Sequence, residues 1–230
     1  MRALLAATAL VLVAVPFGLL LFLVEDKWSP LLRADSGARD ELYGYAVDHR
    51  SFVIAMRVLS TIGSTAVWLA LFTAVVVWLV VRGSRRLALF TLVTVAGSAV
   101  INHVVKIAVN RARPVLPDPV AHASGLSFPS GHAQGAIVGF AVLLLVFLPW
   151  LRGSWRPMAM VAAVLVTIGI GFSRIALGVH YASDVLAGYV LGAAWVIAMT
   201  AAFNALRLER GQAKARPQEG LEPDAAAPHS

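Results

Sequence analysis

The chain has 230 residues, of which 59% are hydrophobic and 13% charged, with a mean hydropathy of +0.79. Soluble domains are about half apolar and a quarter charged, so this composition excludes a disordered protein and most soluble enzymes, leaving a membrane protein. The formal charge of +7 is explained by basic cytoplasmic loops, and no nucleic-acid partner is expected. The absence of cysteine excludes disulfides, thiolate metal ligands and cysteine nucleophiles.

Six stretches without Asp, Glu, Lys or Arg predict transmembrane helices, because each is long enough to cross about 30 Å of hydrocarbon. The first is too long for a cleaved signal peptide, whose apolar region runs about 7–15 residues, so we interpret it as a retained helix. The predicted fold class is an all-α polytopic membrane protein in one domain, residues 1–206. The six stretches cover residues 3–24, 58–81, 87–105, 133–151, 157–173 and 185–206.

Basic residues orient these spans. They cluster after the second, fourth and sixth spans. The positive-inside rule therefore places those segments and both termini on the cytoplasmic side of a plasma (inner) membrane. Segments 25–57, 106–132 and 174–184 then lie outside. We expect 25–57 to be an outer loop with one or two short interfacial helices. Residues 207–230 lack apolar periodicity and are predicted to be a disordered cytoplasmic tail.

Three polar clusters fall on the predicted outer side. They read K-I-A-V-N-R-A-R-P at 106–114, P-S-G-H at 129–132 and S-R-I-A-L-G-V-H-Y-A-S-D at 173–184. Their cations run against the positive-inside rule, and ionisable residues at membrane depth are usually functional. Several cations converging near a glycine make a receptor for a multiply charged oxyanion.

Two histidines could act on such an anion. Gly131 precedes the fourth span, where the backbone can approach the anion and a helix N-terminus favours negative charge. His132 and His180 are then available for nucleophilic attack and proton transfer. His180 and Asp184 are spaced i,i+4, so on a helix the carboxylate can orient the imidazole and stabilise its positive charge.

These blocks fit the patterns K-x6-R-P, P-S-G-H and S-R-x5-H-x3-D at all eleven specified positions and in order. Over about residues 60–205 the sequence therefore resembles the type 2 phosphatidic acid phosphatase and haloperoxidase superfamily. The resemblance implies that His180 forms a phosphohistidine, that His132 protonates the leaving group and then activates water, and that Asp184 orients His180. It implies phosphate binding by Lys106, Arg113, Ser130, Gly131 and Arg174. It implies no metal or other cofactor, because the cations neutralise the phosphoryl charge as Mg²⁺ does elsewhere.

The expected function is a membrane lipid phosphatase whose active site faces outward at the membrane–water interface. The candidate substrates that the family suggests are undecaprenyl diphosphate, phosphatidylglycerol phosphate, phosphatidic acid and diacylglycerol diphosphate. Undecaprenyl diphosphate ranks first, since an outward site suits recycling of that carrier. One alternative is a vanadate-dependent haloperoxidase, although the family's haloperoxidases are soluble. Another is a non-catalytic lipid-binding or transport protein, which we would expect to lack a motif residue. The sequence predicts no oligomeric state.

Each motif taken singly also has an ordinary explanation. Lys106 could snorkel, Ser130 could cap a helix, and His180 with Asp184 could form a structural pair. The order and common side of the three motifs favour the functional interpretation.

Four other polar residues stand near the motifs. We expect Asn102 and His103 to pack between helices and His122 to be a solvated loop residue. Arg111 could bind phosphate or meet lipid headgroups, and headgroups are favoured.

Overall fold

The computed structural model describes the backbone of residues 2–117 and 119–209, and side chains of residues 14–117 and 119–205. The helices are α1 (Arg2–Glu25), α2 (Ser29–Asp48), α3 (Arg50–Ile62), α4 (Thr65–Val81), α5 (Arg85–Val109), α6 (Gly131–Phe147), α7 (Trp155–Ala176) and α8 (Ala182–Glu209). A 3₁₀ turn, Leu148–Trp150, extends α6. The predicted all-α class is confirmed for the described part of the chain.

Five helical stretches are long and apolar enough to cross a membrane, which makes this a multi-pass membrane protein. They are Arg50–Val81, Arg85–Val109, Gly131–Trp150, Trp155–Ala176 and Ala182–Ala205. Their outer faces expose large apolar side chains; Leu69 and Leu165, for example, are 67% and 63% exposed. So much contiguous apolar surface suits contact with lipid rather than water. These stretches contain the second, third and fifth predicted spans and all but the last residue of the fourth and sixth, and α1 covers the predicted first span.

The second span differs from its prediction. Residues 58–81 were expected to form one helix, but the helix is interrupted at Gly63 and Ser64, and residues 58–62 belong to α3. Ser64 is extended and its Oγ accepts a hydrogen bond from the Val67 N–H at 3.4 Å, which caps α4. The break was invisible in the hydropathy pattern because the sequence on both sides of it is uncharged.

The segment preceding that break is more ordered than a loop with short helices. Helix α2 alone has 20 residues, and Pro30 stands in its first turn, where a missing N–H costs nothing. Both α2 and α3 pack against α7. Asp35 and Ala46 form the buried face of α2, and α3 buries Val53 and Met56 in a cluster with Leu177.

The predicted boundary between the last helix and the tail also differs from the structure. Residues 207–209, expected to begin the disordered tail, continue α8, while residues 210–230 lie outside the described residues.

Helix α6 lies at the centre, where it contacts α4, α5, α7 and α8. Its approach to α8 requires a glycine: a Cβ at Gly188 would lie 2.6 Å from the carbonyl oxygen of Ser130. At the same level the Ser130 N–H donates to the Asp184 carbonyl at 2.9 Å. The close packing therefore brings the second and third sequence motifs together.

Candidate active site

His180 lies in the short junction between α7 and α8. Gly178 has a φ of +69°, a left-handed conformation that glycine adopts readily, and it reverses the chain after α7. The N–H groups of Val179 and His180 donate to the Arg174 carbonyl at 3.1 and 3.2 Å. This turn fixes the backbone of His180, whose side chain is almost completely buried.

The hydrogen bonds of the His180 ring indicate its tautomer. Arg113 Nη1 lies 2.9 Å from Nε2, and because a guanidinium only donates, Nε2 must accept. The proton is then on Nδ1, which lies 3.4 Å from Asp184 Oδ2. Burial lowers the pKa of His180 to about 4, although its hydrogen bond to Asp184 opposes that shift. The imidazole is therefore neutral near pH 7 and carries its lone pair on Nε2.

Asp184 is fully buried and tightly held. Its Oδ2 accepts from Ser127 Oγ at 2.5 Å and from the Tyr181 N–H at 2.9 Å, besides facing His180. Its Oδ1 accepts from Arg111 Nη1 at 2.7 Å. The i,i+4 pairing expected from the sequence is present, and the other donors restrict the carboxylate to one orientation.

The expectation for Arg111 was wrong. Its side chain is only 11% exposed and forms ion pairs with Asp35 at 2.8 Å and Asp184 at 2.7 Å, so it meets neither headgroups nor a phosphate position. Ser127 and Asp35 were also missed. Neither belongs to a motif, and no local pattern links them to Asp184.

Lys106 and Arg113 hold the segment that follows α5. Lys106 Nζ donates to the carbonyls of Leu126 and Ser127 at 2.8 and 3.3 Å. Arg113 donates to the carbonyls of Gly125 and Val179 at 3.1 and 2.8 Å, and burial lowers its pKa. Their hydrogen bonds are to neutral groups, so their positive charges remain available to an anion.

Arg174 is buried in the last turn of α7. Its Nη1 donates to Ser60 Oγ of α3, a contact that the sequence did not predict. Its Nε is buried and has no hydrogen-bond partner among the described residues. An unpaired buried N–H is costly, so this atom is suited to an acceptor that a ligand would bring.

The P-S-G-H motif forms the start of α6. Ser130 is fully buried and its Oγ accepts a hydrogen bond from the Ala133 N–H at 3.4 Å. It therefore caps the helix, which is the structural role considered for it from the sequence. Gly131 is exposed and His132 is half-buried. Both line the cleft described next, whereas Ser130 and Asp184 lie behind its wall.

A cleft of about 1040 Å³ opens between α4 and α5, with α6 as its floor. Six of the eight predicted site residues line its polar end: Lys106, Arg113, Gly131, His132, Arg174 and His180. Along α4 it extends from Thr65 to Val77, thirteen residues or roughly 20 Å of helix. Its walls there are mostly apolar, with Leu69 and Phe72 among them. The cleft could hold a charged headgroup at one end and a hydrocarbon chain along its length.

The predictions for three polar residues near the cleft have different outcomes. Asn102 donates to Gln134 Oε1 at 2.7 Å between α5 and α6, which confirms its packing role. His103 is exposed and lines the cleft, so its expected packing between helices was wrong. His122 is exposed on the loop, as expected, and it also lines the cleft. Within residues 2–117 and 119–209, no three His, Asp or Glu side chains form a group able to hold a metal ion.

Comparison with a family model identifies proteins to which this chain is related. The family model described as "PAP2 superfamily" matches residues 87–208, more than half of the chain. The chain belongs to the PAP2 superfamily. The resemblance drawn from the three motifs is thereby confirmed, while α1 to α4 lie before the matched region.

Three curated PAP2 relatives carry different names. Phosphatidylglycerophosphatase B of Bacillus subtilis is 38% identical over 95 residues, 40% of this chain and 46% of that protein. Lipid A 1-phosphatase of Rhizobium etli is 34% identical over 49% of this chain and 47% of its own. Undecaprenyl-diphosphatase of Sulfolobus acidocaldarius is 30% identical over 60% and 64%. The chain thus spans about half the length of the first two relatives.

The fold is similar to a solved PAP2 structure. The crystal structure of the transmembrane PAP2 type phosphatidylglycerolphosphate phosphatase from Bacillus subtilis superposes with a TM-score of 0.72 at 23% identity. The match covers 88% of this chain and 98% of that one. At this identity the likeness establishes the transmembrane fold.

Proposed function

We propose that this protein is a membrane lipid phosphatase that hydrolyses a phosphate monoester or diphosphate of a lipid through a phosphohistidine. The observation that carries the proposal is the setting of His180. Its unprotonated Nε2 is bonded to Arg113 at the polar end of the cleft, and its Nδ1 faces Asp184. Membership of the PAP2 superfamily and the names of the relatives support the same reaction class.

In the first step the lone pair of His180 Nε2 attacks phosphorus, and the bond from phosphorus to the lipid oxygen breaks. His132 gives its proton to the departing oxygen. The imidazole gains positive charge as the phosphorus–nitrogen bond forms, and Asp184 stabilises that charge through Nδ1. Neutral His180 is ready for this step at pH 7 because burial keeps its pKa at about 4.

In the second step water hydrolyses the phosphohistidine. His132, now neutral, takes a proton from the water as its oxygen attacks phosphorus. The phosphorus–nitrogen bond breaks, its electron pair returns to Nε2, and inorganic phosphate leaves. His180 and His132 are then restored to their starting forms.

Three cations line the polar end of the cleft and would bind the phosphoryl oxygens: Lys106, Arg113 and Arg174. The exposed backbone at Gly131 adds the N-terminus of α6, and Ser130 supports this cradle by capping that helix. Since these groups neutralise phosphate charge, we expect hydrolysis to continue in excess EDTA and to be inhibited by vanadate. Loss of activity in EDTA that Mg²⁺ restores would contradict this mechanism.

The apolar part of the cleft would receive the lipid chain. Keeping the chain between α4 and α5 avoids exposing its methylene groups, at about 0.8 kcal/mol each. The relatives' names divide among phosphatidylglycerol phosphate, lipid A and undecaprenyl diphosphate, so the proposal extends to lipid phosphates and diphosphates as a class. Undecaprenyl diphosphate remains our first-ranked substrate.

The direct test is phosphate release in liposomes that contain one lipid each: phosphatidylglycerol phosphate, phosphatidic acid, diacylglycerol diphosphate or undecaprenyl diphosphate. We expect the wild type to release phosphate and the highest kcat/KM to identify the substrate. Halide oxidation with vanadate and peroxide, without phosphate release, would favour haloperoxidase chemistry. Lipid binding without either reaction would favour a non-catalytic protein.

We further propose that α1 is a sixth membrane crossing and that the active site faces outward. This topology follows from the basic residues between α4 and α5, between α6 and α7, and after α8. A matched pair of substitutions tests it in this cysteine-free chain. Ser124→Cys near the site should react with an impermeant thiol reagent on intact cells, whereas Ser154→Cys should react only after permeabilisation. The opposite labelling pattern would show that the active site faces the cytoplasm and would contradict this proposal.

A further inference from the structure

A buried carboxylate of α2 reaches the catalytic histidine through two other residues. Asp35 is 1% exposed, and its Oδ1 accepts from the Ser183 N–H at 2.9 Å. Its Oδ2 accepts from Ser183 Oγ at 2.5 Å and from Arg111 Nη2 at 2.8 Å. Three donors therefore hold this carboxylate against the first turn of α8.

Arg111 carries the connection onward. Its Nη1 donates to Asp184 Oδ1 and to Ser183 Oγ, both at 2.7 Å. One guanidinium is thus shared between two buried carboxylates, and the second of them faces His180 Nδ1 through its other oxygen. The fork geometry of the guanidinium makes its orientation depend on both carboxylates.

We propose that Asp35 is a positioning residue for the phosphatase reaction, acting on His180 through Arg111 and Asp184; the inference rests on the proposed function. Asp35 anchors the guanidinium, so that Asp184 keeps Oδ2 turned toward the imidazole. It also sets the charge behind the ring. Two carboxylates and one guanidinium leave a net charge of −1, whereas Arg111 and Asp184 alone would be neutral.

That charge matters when the reaction begins. Attack by Nε2 leaves positive charge on the His180 ring, and a net negative group behind Nδ1 stabilises it more than a neutral one. Asp35 therefore favours the phosphohistidine without touching the substrate. Helix α2 lies outside the three motifs and before the region matched by the PAP2 model, so neither pattern includes this residue.

The test compares Asp35→Asn with Asp40→Asn, which makes the same change on an exposed residue of the same helix. Asp35→Asn keeps the size of the side chain, which matters because losing one partner of a buried ion pair can unfold a protein. We expect kcat to fall about 10- to 100-fold, as for other supporting residues. The phosphohistidine should form more slowly by the same factor in rapid-quench experiments. KM should stay unchanged, because the cations that bind phosphate are intact, and Asp40→Asn should behave as the wild type.

A double-mutant cycle identifies the route. If Asp35 acts through Arg111, adding Asp35→Asn to Arg111→Gln should lower kcat by less than the same change does in the wild type, because the anchoring effect is already lost and only the effect of the charge remains. A double variant whose kcat is reduced by the product of the two separate effects would overturn the proposal. An Asp35→Asn variant with an unchanged kcat, or with a change in KM alone, would also overturn it. If Asp35→Asn does not fold, Asp35→Glu gives the answer, since it keeps the charge but displaces the carboxylate from Arg111 and Ser183. Its kcat should fall at unchanged KM, and a wild-type kcat would then assign Asp35 to folding alone.

Failure here and failure of the proposed function give different results. An active wild type with an unaffected Asp35→Asn variant overturns only the role of Asp35. A wild type that releases no phosphate from any lipid in the panel overturns the proposed function and this inference with it.

Discussion

The two sides of the His180 ring differ in charge and in their hydrogen-bond partners. Behind Nδ1 lies a back cluster, defined as Asp35, Arg111, Ser183 and Asp184, in which the guanidinium is paired with two carboxylates. Before Nε2 lies a front cluster, defined as Lys106, Arg113, His132 and Arg174, which lines the cleft. The back cluster has a net charge of −1, and the front cluster carries three cations.

The difference matches the proposed division between residues that position His180 and residues that bind phosphate. Charges in the back cluster are satisfied within the protein, so that cluster holds its geometry before any substrate arrives. In the front cluster, the hydrogen bonds of Arg113 go to carbonyls and to His180, and Arg174 Nε has no partner among the described residues. Those charges are left for an incoming anion. His180 is placed where both influences meet.

The largest expected effect comes from removing the ring between the two clusters. His180→Ala should lower kcat by about 10⁴-fold or more and abolish phosphohistidine formation, because no nucleophile remains. The control is His49→Ala, which removes an exposed imidazole that does not line the cleft and should leave kcat near the wild-type value. Phosphate release and acid-labile ³²P incorporation measure both. Comparable rates in the two variants would contradict the assignment of His180 as the nucleophile.

Loss of the proton donor in the front cluster should come next. His132→Ala should slow hydrolysis of a lipid phosphate about 10³-fold, since an alkoxide leaves poorly without a proton. A p-nitrophenyl phosphate substrate should lose much less in the burst of p-nitrophenol, because its leaving group needs little protonation. Equal losses for both substrates would contradict the assignment of His132 as general acid.

Removing one front charge should weaken anion binding, whereas removing a back charge should not. Arg174→Gln should lower kcat/KM about 10²-fold and raise the inhibition constant of inorganic phosphate. Ser60→Ala retains the arginine charge and serves as its control. Asp184→Asn should reduce kcat while phosphate still inhibits at the wild-type concentration. A higher inhibition constant of inorganic phosphate for Asp184→Asn would show that the back cluster also contributes to anion binding, contrary to this prediction.

The smallest expected effect is on the acid limb of the pH profile. Burial lowers the pKa of His180 to about 4, so the neutral nucleophile persists well below the ordinary histidine value. After correction for ionisation of the substrate phosphate, kcat/KM should not fall between pH 7 and pH 5, because His180 stays neutral there while acidification favours the protonated form of His132, and it should fall near pH 4. An acid limb centred near pH 6.5 would show that the imidazole is better solvated than this geometry implies.

Local sequence patterns were sufficient for much of this protein. Uncharged runs located the second to sixth spans, because crossing hydrocarbon demands length and apolarity that few other structures require. The i,i+4 spacing of His180 and Asp184 and the position of Gly131 before α6 are also properties of neighbouring residues. The three motifs identified the PAP2 superfamily for the same reason.

Contacts between distant segments had no such signal. Ser183 and Asp35 are 148 positions apart, and Arg174 and Ser60 are 114 apart, so only the packing of α2 and α3 against α7 and α8 brings them together. The contact of Arg111 with Asp35 likewise depends on where α2 lies, whereas the sequence had favoured lipid headgroups over phosphate for this arginine. Local charge and apolar length were sufficient to predict most of the residues that line the polar end of the cleft and the helices that suit a bilayer. The buried groups around His180 could be found only from the packing of the helices, because a buried charge takes its partner from whichever helix packs beside it.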